Sequence, residues 1–168
     1  MTSLLTIDPA AVDETVRLLD VRGERRVETA AFWLGDPGTT EVTVVVIPTG
    51  SGAEFGPLRL RLTERWMIAL DRVCEQRGIV VLGAVHTHPD HAFFSGIDAD
   101  GFFHAPDCVS VVLPRYGATS LLEAATKWAV FVGLLFGEWR AATWDDVVIL
   151  RDGITYEVIH LEAPRARP

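Results

Sequence analysis

Apolar residues at Ala11, Val12, Val16 and Leu19 recur at helical spacing behind Asp8-Pro9 and ahead of Gly23. A capping aspartate, proline at the first helical position and this period predict a first helix. From Arg25 to Gly35 and from Glu41 to Pro48 the chain turns to β-branched and aromatic residues, parted by Asp36-Pro37-Gly38, which predicts an antiparallel hairpin. A second helix is capped by Thr63, lines up Trp66, Leu70 and Val73 on one face and stops at Gly78. Directly after it, Ile79 to Val85 is a nearly unbroken apolar run, the pattern of a central strand buried on both faces. A strand over Cys108–Leu113 ended by Pro114, a short helical stretch around Leu121–Ala125 and a strand from Trp128 to Phe136 follow. Gly137-Glu138 and Asp152-Gly153 are expected to close hairpins. Helices and strands mix without strict βαβ alternation, so the expected class is a single α/β or α+β domain with helices against a mixed, curved sheet.

Composition narrows the partners. With 168 residues, 49% of them hydrophobic and 23% charged, the chain can bury one core and needs no second domain. A net charge of -8 argues against nucleic acid, because phosphate binding needs clustered Lys and Arg and the longest basic run, Arg22 to Arg26, is short and mixed. The start lacks the basic and apolar regions of a signal peptide, and no apolar run approaches the ~20 residues of a membrane helix, so a cytoplasmic protein is expected. Cys74 and Cys108 stand alone and are read as small buried hydrophobes rather than a disulfide. Lys127 is the only lysine, a coding bias towards Arg.

The chemistry concentrates after the central strand, in His86-Thr-His88-Pro89 and then Ser95-Gly-Ile-Asp98. Side chains alternate along a strand, so His86 and His88 project from one face while Thr87 points away. Pro89 cannot donate to a ladder and ends the strand at this pair. Two imidazoles and a carboxylate match the three protein ligands of an open zinc site. Ser95 to Asp98 has a metal-free reading too, a serine helix cap with an acidic residue three positions on. Glu28, earlier, would share a strand face with Ala30, Phe32 and Leu34, where an uncompensated carboxylate is costly. Either it meets a group at the metal or it reaches solvent or Arg25 and Arg26.

Taken together, H-x-H-P, S-x-x-D and the earlier segment Glu28-Thr-Ala-Ala-Phe-Trp-Leu-Gly35 resemble the signature of the JAMM (MPN-plus) metalloproteases. The segment is similar to the family's E-x-x-G-L-L-x-G, with Ala31 in place of the middle glycine. The resemblance covers most of the first 115 residues. It departs in the interval from His88 to Asp98, one residue short of many members, and in Ala99-Asp100, which replaces a common Thr-Gln pair. It implies an MPN/JAB-like, cytidine-deaminase-like sandwich, one zinc held by His86, His88 and Asp98, Glu28 as general base and Ser95 stabilising the oxyanion. It further implies hydrolysis of the peptide or isopeptide bond after the C-terminus of a ubiquitin-like protein, with that protein, its conjugates, and E1-like and E2-like enzymes as partners. Short length and Arg bias suggest a bacterial member. The alternatives are an amidohydrolase or sulfur-carrier-processing peptidase, and a non-catalytic MPN scaffold or RadC-like protein; the latter usually carry Asn where Thr87 stands. His91, His104, Phe93, Phe94, Phe102 and Phe103 are expected to be loop and packing residues, with His91 and the phenylalanines also placed to meet substrate.

Overall fold

Asp8 caps the first helix as its position demands, its carboxylate accepting the Ala10 N–H at 2.8 Å. In this computed structural model, which describes residues 4–93, 95, 96, 98 and 105–164, a short strand β1 (Leu5–Ile7) leads into α1 (Pro9–Gly23), then β2 (Ala30–Gly35) and β3 (Val44–Thr49). A small hairpin follows, β4 (Ala53–Gly56) and β5 (Arg59–Leu62), then α2 (Glu64–Arg77) and β6 (Val80–Thr87). The remainder comprises β7 (Val109–Leu113), α3 (Ala124–Lys127), β8 (Ala129–Gly133), β9 (Trp139–Ala142), α4 (Trp144–Val147), β10 (Val148–Leu150) and β11 (Glu157–Glu162). No helix among the described residues is long and apolar enough to cross a membrane.

Seven of these strands form one mixed sheet in the order β11-β3-β2-β6-β7-β8-β9. The expected hairpin is present, β2 and β3 running antiparallel with Phe32 opposite Val46. Alternation along β2 divides the core. Ala31 and Trp33 pack with Val12 and Leu19 of α1, whereas Phe32 and Leu34 pack with Trp66 and Leu70 of α2. All six β2 residues are buried, so the sheet is covered by helices on both faces. Thr15 ties one face together by giving its hydroxyl proton to Ala11 O at 2.7 Å and accepting the Trp33 indole N–H at 3.1 Å. On the other, α2 starts at Thr63, whose hydroxyl accepts the Trp66 N–H, and stops at Gly78, in the left-handed region at φ 66°. Val73 is only half-buried and Ala69 takes its place beside Trp66 and Leu70. Cys74 and Cys108 are free thiols.

Other boundaries differ from the sequence pattern for local reasons. The strand expected from Arg25 begins only at Ala30. Arg26 adopts φ 55° and donates its N–H to Gly23 O at 2.7 Å, closing a turn behind α1 that the strand cannot include. The Trp128–Phe136 strand shortens to β8 because Leu135–Gly137 is a 3-10 turn into β9, its antiparallel partner. The stretch expected around Leu121–Ala125 splits into a 3-10 turn, Leu121–Glu123, followed by α3. Asp152-Gly153 does turn but closes no hairpin: β10 pairs in parallel with β1 and β11 in parallel with β3. Gly153 N–H instead goes to the Asp8 carboxylate at 2.8 Å, and Arg151 N–H to Ile7 O at 3.0 Å, which steers the chain along β1. The central strand is buried from Gly83 to Thr87 but surfaces at Val80.

Gly23 is needed where α1 meets the loop after β7, since a Cβ there would lie 1.9 Å from the Tyr116 carbonyl oxygen. Gly23→Ala should therefore cost about 1–3 kcal/mol through forced backbone movement, outweighing alanine's better helix propensity. Urea unfolding with an unchanged m-value would register it as a lower midpoint.

Candidate metal centre

β6 carries His86 to the sheet's end, opposite Ala30 on one side and Val112 on the other. Thr87 faces away, its hydroxyl accepting the Thr29 N–H at 2.9 Å and its own N–H reaching Thr29 O at 3.0 Å. That clamp fixes the segment bearing Glu28 beside the histidines. His88 lies one residue past the strand, held by its N–H to Leu113 O at 2.9 Å and by the Tyr116 N–H donated to its carbonyl at 2.7 Å. The two imidazole centroids stand 5.0 Å apart on one face, as alternation requires.

Asp98 completes the cluster from a helical turn. Its Oδ2 accepts the Ser95 N–H at 2.7 Å, and its own N–H donates to Ser95 Oγ at 3.2 Å. This reciprocal cap is the metal-free reading of S-x-x-D, and it coexists with the ligand geometry. Asp98 Oδ1 stands 3.3 Å from His86 Nε2 and Oδ2 stands 3.4 Å from His88 Nε2. Both distances exceed the roughly 2.7–2.9 Å of a charge-assisted hydrogen bond. They match the edge of a tetrahedron whose ligand atoms lie about 2.0–2.1 Å from its centre, which is roughly 3.3–3.4 Å. One ligand atom from each of His86, His88 and Asp98 lies within 4.8 Å of the others, and all three residues are buried. These three residues could hold a metal ion.

Electrostatics favours the protonation states that a metal requires. Burial holds the His86 pKa below the ordinary histidine value, against the pull of Asp98, so its imidazole is neutral. Burial alone would raise Asp98, but the facing His86 and His88 imidazoles and the Ser95 N–H outweigh it and keep the carboxylate ionised. Neutral imidazole and carboxylate are the ligating forms.

Glu28 is buried and lines the same cavity of about 360 Å³ as His86, His88, Asp98 and Ser95. Burial raises its pKa above the usual carboxylate value; His88 opposes the shift, Asp98 adds to it and the Leu60 N–H hydrogen bond opposes it. Glu28 pairs with neither Arg25 nor Arg26 among the described residues. Its backbone N–H donates to Gly56 O at 2.8 Å, so the β4–β5 hairpin is stitched to the segment carrying this carboxylate.

Leu58, Arg59, Leu60 and Leu62 from that hairpin, with Phe32, Met67 and Pro89, wall the rest of the cavity. The hairpin was not among the elements expected from the sequence, although Leu58, Leu60 and Leu62 alternate with Arg59 and Arg61 at a strand's period of two. Phe93 stacks edge-on against His88, centroids 4.5 Å apart, and remains 53% exposed, so it borders the cavity rather than filling a core. His91 lies in a separate groove with Asp90, Arg115 and Lys127, apart from the ligand cluster. Phe94, Phe102, Phe103, His104 and Ala99-Asp100 fall outside the described residues.

No protein-family model matches the chain. No curated protein matches it either. Among solved structures it is similar to protein DSY2949 from Desulfitobacterium hafniense, with 17% identity and a TM-score of 0.59 over 89% of this chain and 94% of that one. It is also similar to a protein from Salinibacter ruber, with 20% identity and a TM-score of 0.57 over 94% of this chain and 99% of the other. At such identities the likeness is one of fold: a mixed sheet flanked by helices in a unit of about this length.

Proposed function

We propose that this chain is a zinc-dependent hydrolase of the JAMM (MPN-plus) type, with the MPN/JAB-like fold, that cuts the peptide or isopeptide bond after the C-terminus of a ubiquitin-like protein. The observation that carries the reading is the buried cluster of His86, His88 and Asp98 with Glu28 on the wall of the same cavity. Zinc held by these three residues would supply Lewis acidity and bring the pKa of a water molecule towards about 7. Glu28 takes a proton from the attacking water and returns it to the leaving amine, a two-way role suited to amide hydrolysis. Its raised pKa brings it closer to the working pH of such a base. Ser95, on the same wall, is assigned the oxyanion by resemblance while its Oγ continues to accept the Asp98 N–H.

An extended protein tail suits the site better than a compact small molecule. β5 pairs with β4 along one side, and on the other the Leu60 N–H points to Glu28. A peptide laid along that side, where the Leu60 N–H is already taken by Glu28, has the remaining main-chain groups of β5 to align its scissile amide.

Two measurements on the purified protein test the proposal. Metal analysis should find one zinc per chain, and mass spectrometry should find a ubiquitin-like fusion cut after its terminal glycine. A zinc content near zero after growth with zinc would sink the metal assignment. Rapid turnover of small amides without cleavage of any such fusion would favour an amidohydrolase.

A further inference from the structure

The cavity holds a cation that nothing in the catalytic scheme uses. Arg59 lines the wall, is exposed, and its guanidinium has no hydrogen-bond or ion-pair partner among the described residues. The two carboxylates sharing the cavity are engaged elsewhere, Asp98 with the imidazoles and the Ser95 N–H and Glu28 with the Leu60 N–H. Two residues on, Arg61 faces the same way and meets Glu54 only at 3.8 Å, both side chains more than half exposed. Along β5, Arg59 and Arg61 are thus exposed while Leu60 and Leu62 are half-buried, and Arg59, Leu60 and Leu62 line the cavity.

Resting on the reading of this site as one that takes an extended tail, we infer that the tail is acidic and aliphatic in alternation. It presents carboxylates opposite Arg59 and Arg61 and aliphatic side chains opposite Leu60 and Leu62. Residues directly opposite on neighbouring strands share a face, and opposite charges stabilise such pairs while like charges destabilise them. Aliphatic groups on the other face enter a cavity whose wall is already Phe32, Leu62 and Met67. The net charge of the chain points the other way: at -8 the overall field attracts a basic peptide. A preference for an acidic tail would therefore come from the local pair of arginines.

The probes are two labelled hexapeptides, Glu-Leu-Glu-Leu-Gly-Gly and Arg-Leu-Arg-Leu-Gly-Gly, titrated by fluorescence anisotropy against the full chain loaded with zinc in about 50 mM salt. The acidic peptide should bind about tenfold more tightly or better, and the preference should shrink in about 0.5 M salt as charges are screened. Arg59→Leu should flatten it, and the double variant Arg59→Glu/Arg61→Glu should reverse it, with zinc content per chain serving as the check that both variants are folded. Equal affinities, tighter binding of the basic peptide, or no binding of either would overturn the inference. Zinc content and fusion cleavage are read separately, so such a failure would leave the hydrolase proposal standing, and its own failure would show in those assays instead.

Discussion

Glu28→Gln is expected to retain one zinc per chain and lose on the order of 10²–10⁴ in turnover, the usual contribution of a positioned general base. The side chain keeps its size, and the amide oxygen can still accept the Leu60 N–H that now goes to the carboxylate. Only the capacity to take a proton disappears. The substitution should also change stability in a direction that a merely structural glutamate beside solvent would not. Burial raises the folded pKa of Glu28, so the folded protein holds this proton to a higher pH than the unfolded chain. The associated stability is fully present below the unfolded pKa and is lost as pH rises through the folded one. Metal-free Glu28→Gln should therefore melt above metal-free wild type at neutral pH, and the gap should close in acid, below the ordinary carboxylate range. Near-normal turnover in the zinc-loaded variant would mean that another residue is the base and that the match of Glu28–Gly35 to the family strand is accidental.

Much of this site is legible in the sequence because the residues that could hold a metal are local. His86 and His88 are two residues apart on a strand announced by an apolar run, and Ser95 and Asp98 carry a capping pattern that fixes the carboxylate by itself. The helices are legible for the same reason, through Asp8 and Thr63 at their starts and Gly78 at the end of α2. Pairing between distant segments is harder to read. Nothing near Asp152 and Gly153 signals that β10 will join β1 or that β11 will lie along β3, because those partners sit more than a hundred residues away. The β4–β5 hairpin is four residues a side and pairs outside the main sheet. Its alternation is brief, and its purpose shows only once Gly56 O and the Leu60 N–H are seen to meet Glu28. Glu28 itself was legible as a residue needing a partner, while the turn at Arg26 that delays its strand to Ala30 was not.

Asp98 gives the sharpest test of whether the cluster is a metal centre or a helix cap, because the same carboxylate accepts the Ser95 N–H and faces both imidazoles. Asp98→Ala removes the acceptor of the Ser95 N–H and the carboxylate facing both imidazoles. It should lose zinc and activity together and destabilise the metal-free protein by about 1 kcal/mol, the typical cost of a lost cap. Asp98→Asn separates the two roles. An amide oxygen can still accept the Ser95 N–H, so metal-free Asp98→Asn should melt above metal-free Asp98→Ala, yet below wild type at neutral pH, where the carboxylate held ionised by His86, His88 and the Ser95 N–H contributes stability. The anionic group proposed to ligate the ion is gone, however, and turnover should drop to background, as it should in His86→Ala. A ligand that binds only the folded state stabilises it by RT ln(1 + L/Kd), where L is the free ligand concentration, so the melting temperature rises with free ligand by an amount set by Kd. Zinc should therefore shift wild type upward, in step with titrated binding, and leave Asp98→Asn unmoved. Glu28→Gln should respond as wild type does, since Glu28 does not coordinate the ion in this reading. An Asp98→Asn variant that still binds zinc with wild-type affinity would reduce Ser95–Asp98 to a cap, and the third ligand would have to be sought elsewhere around His86 and His88.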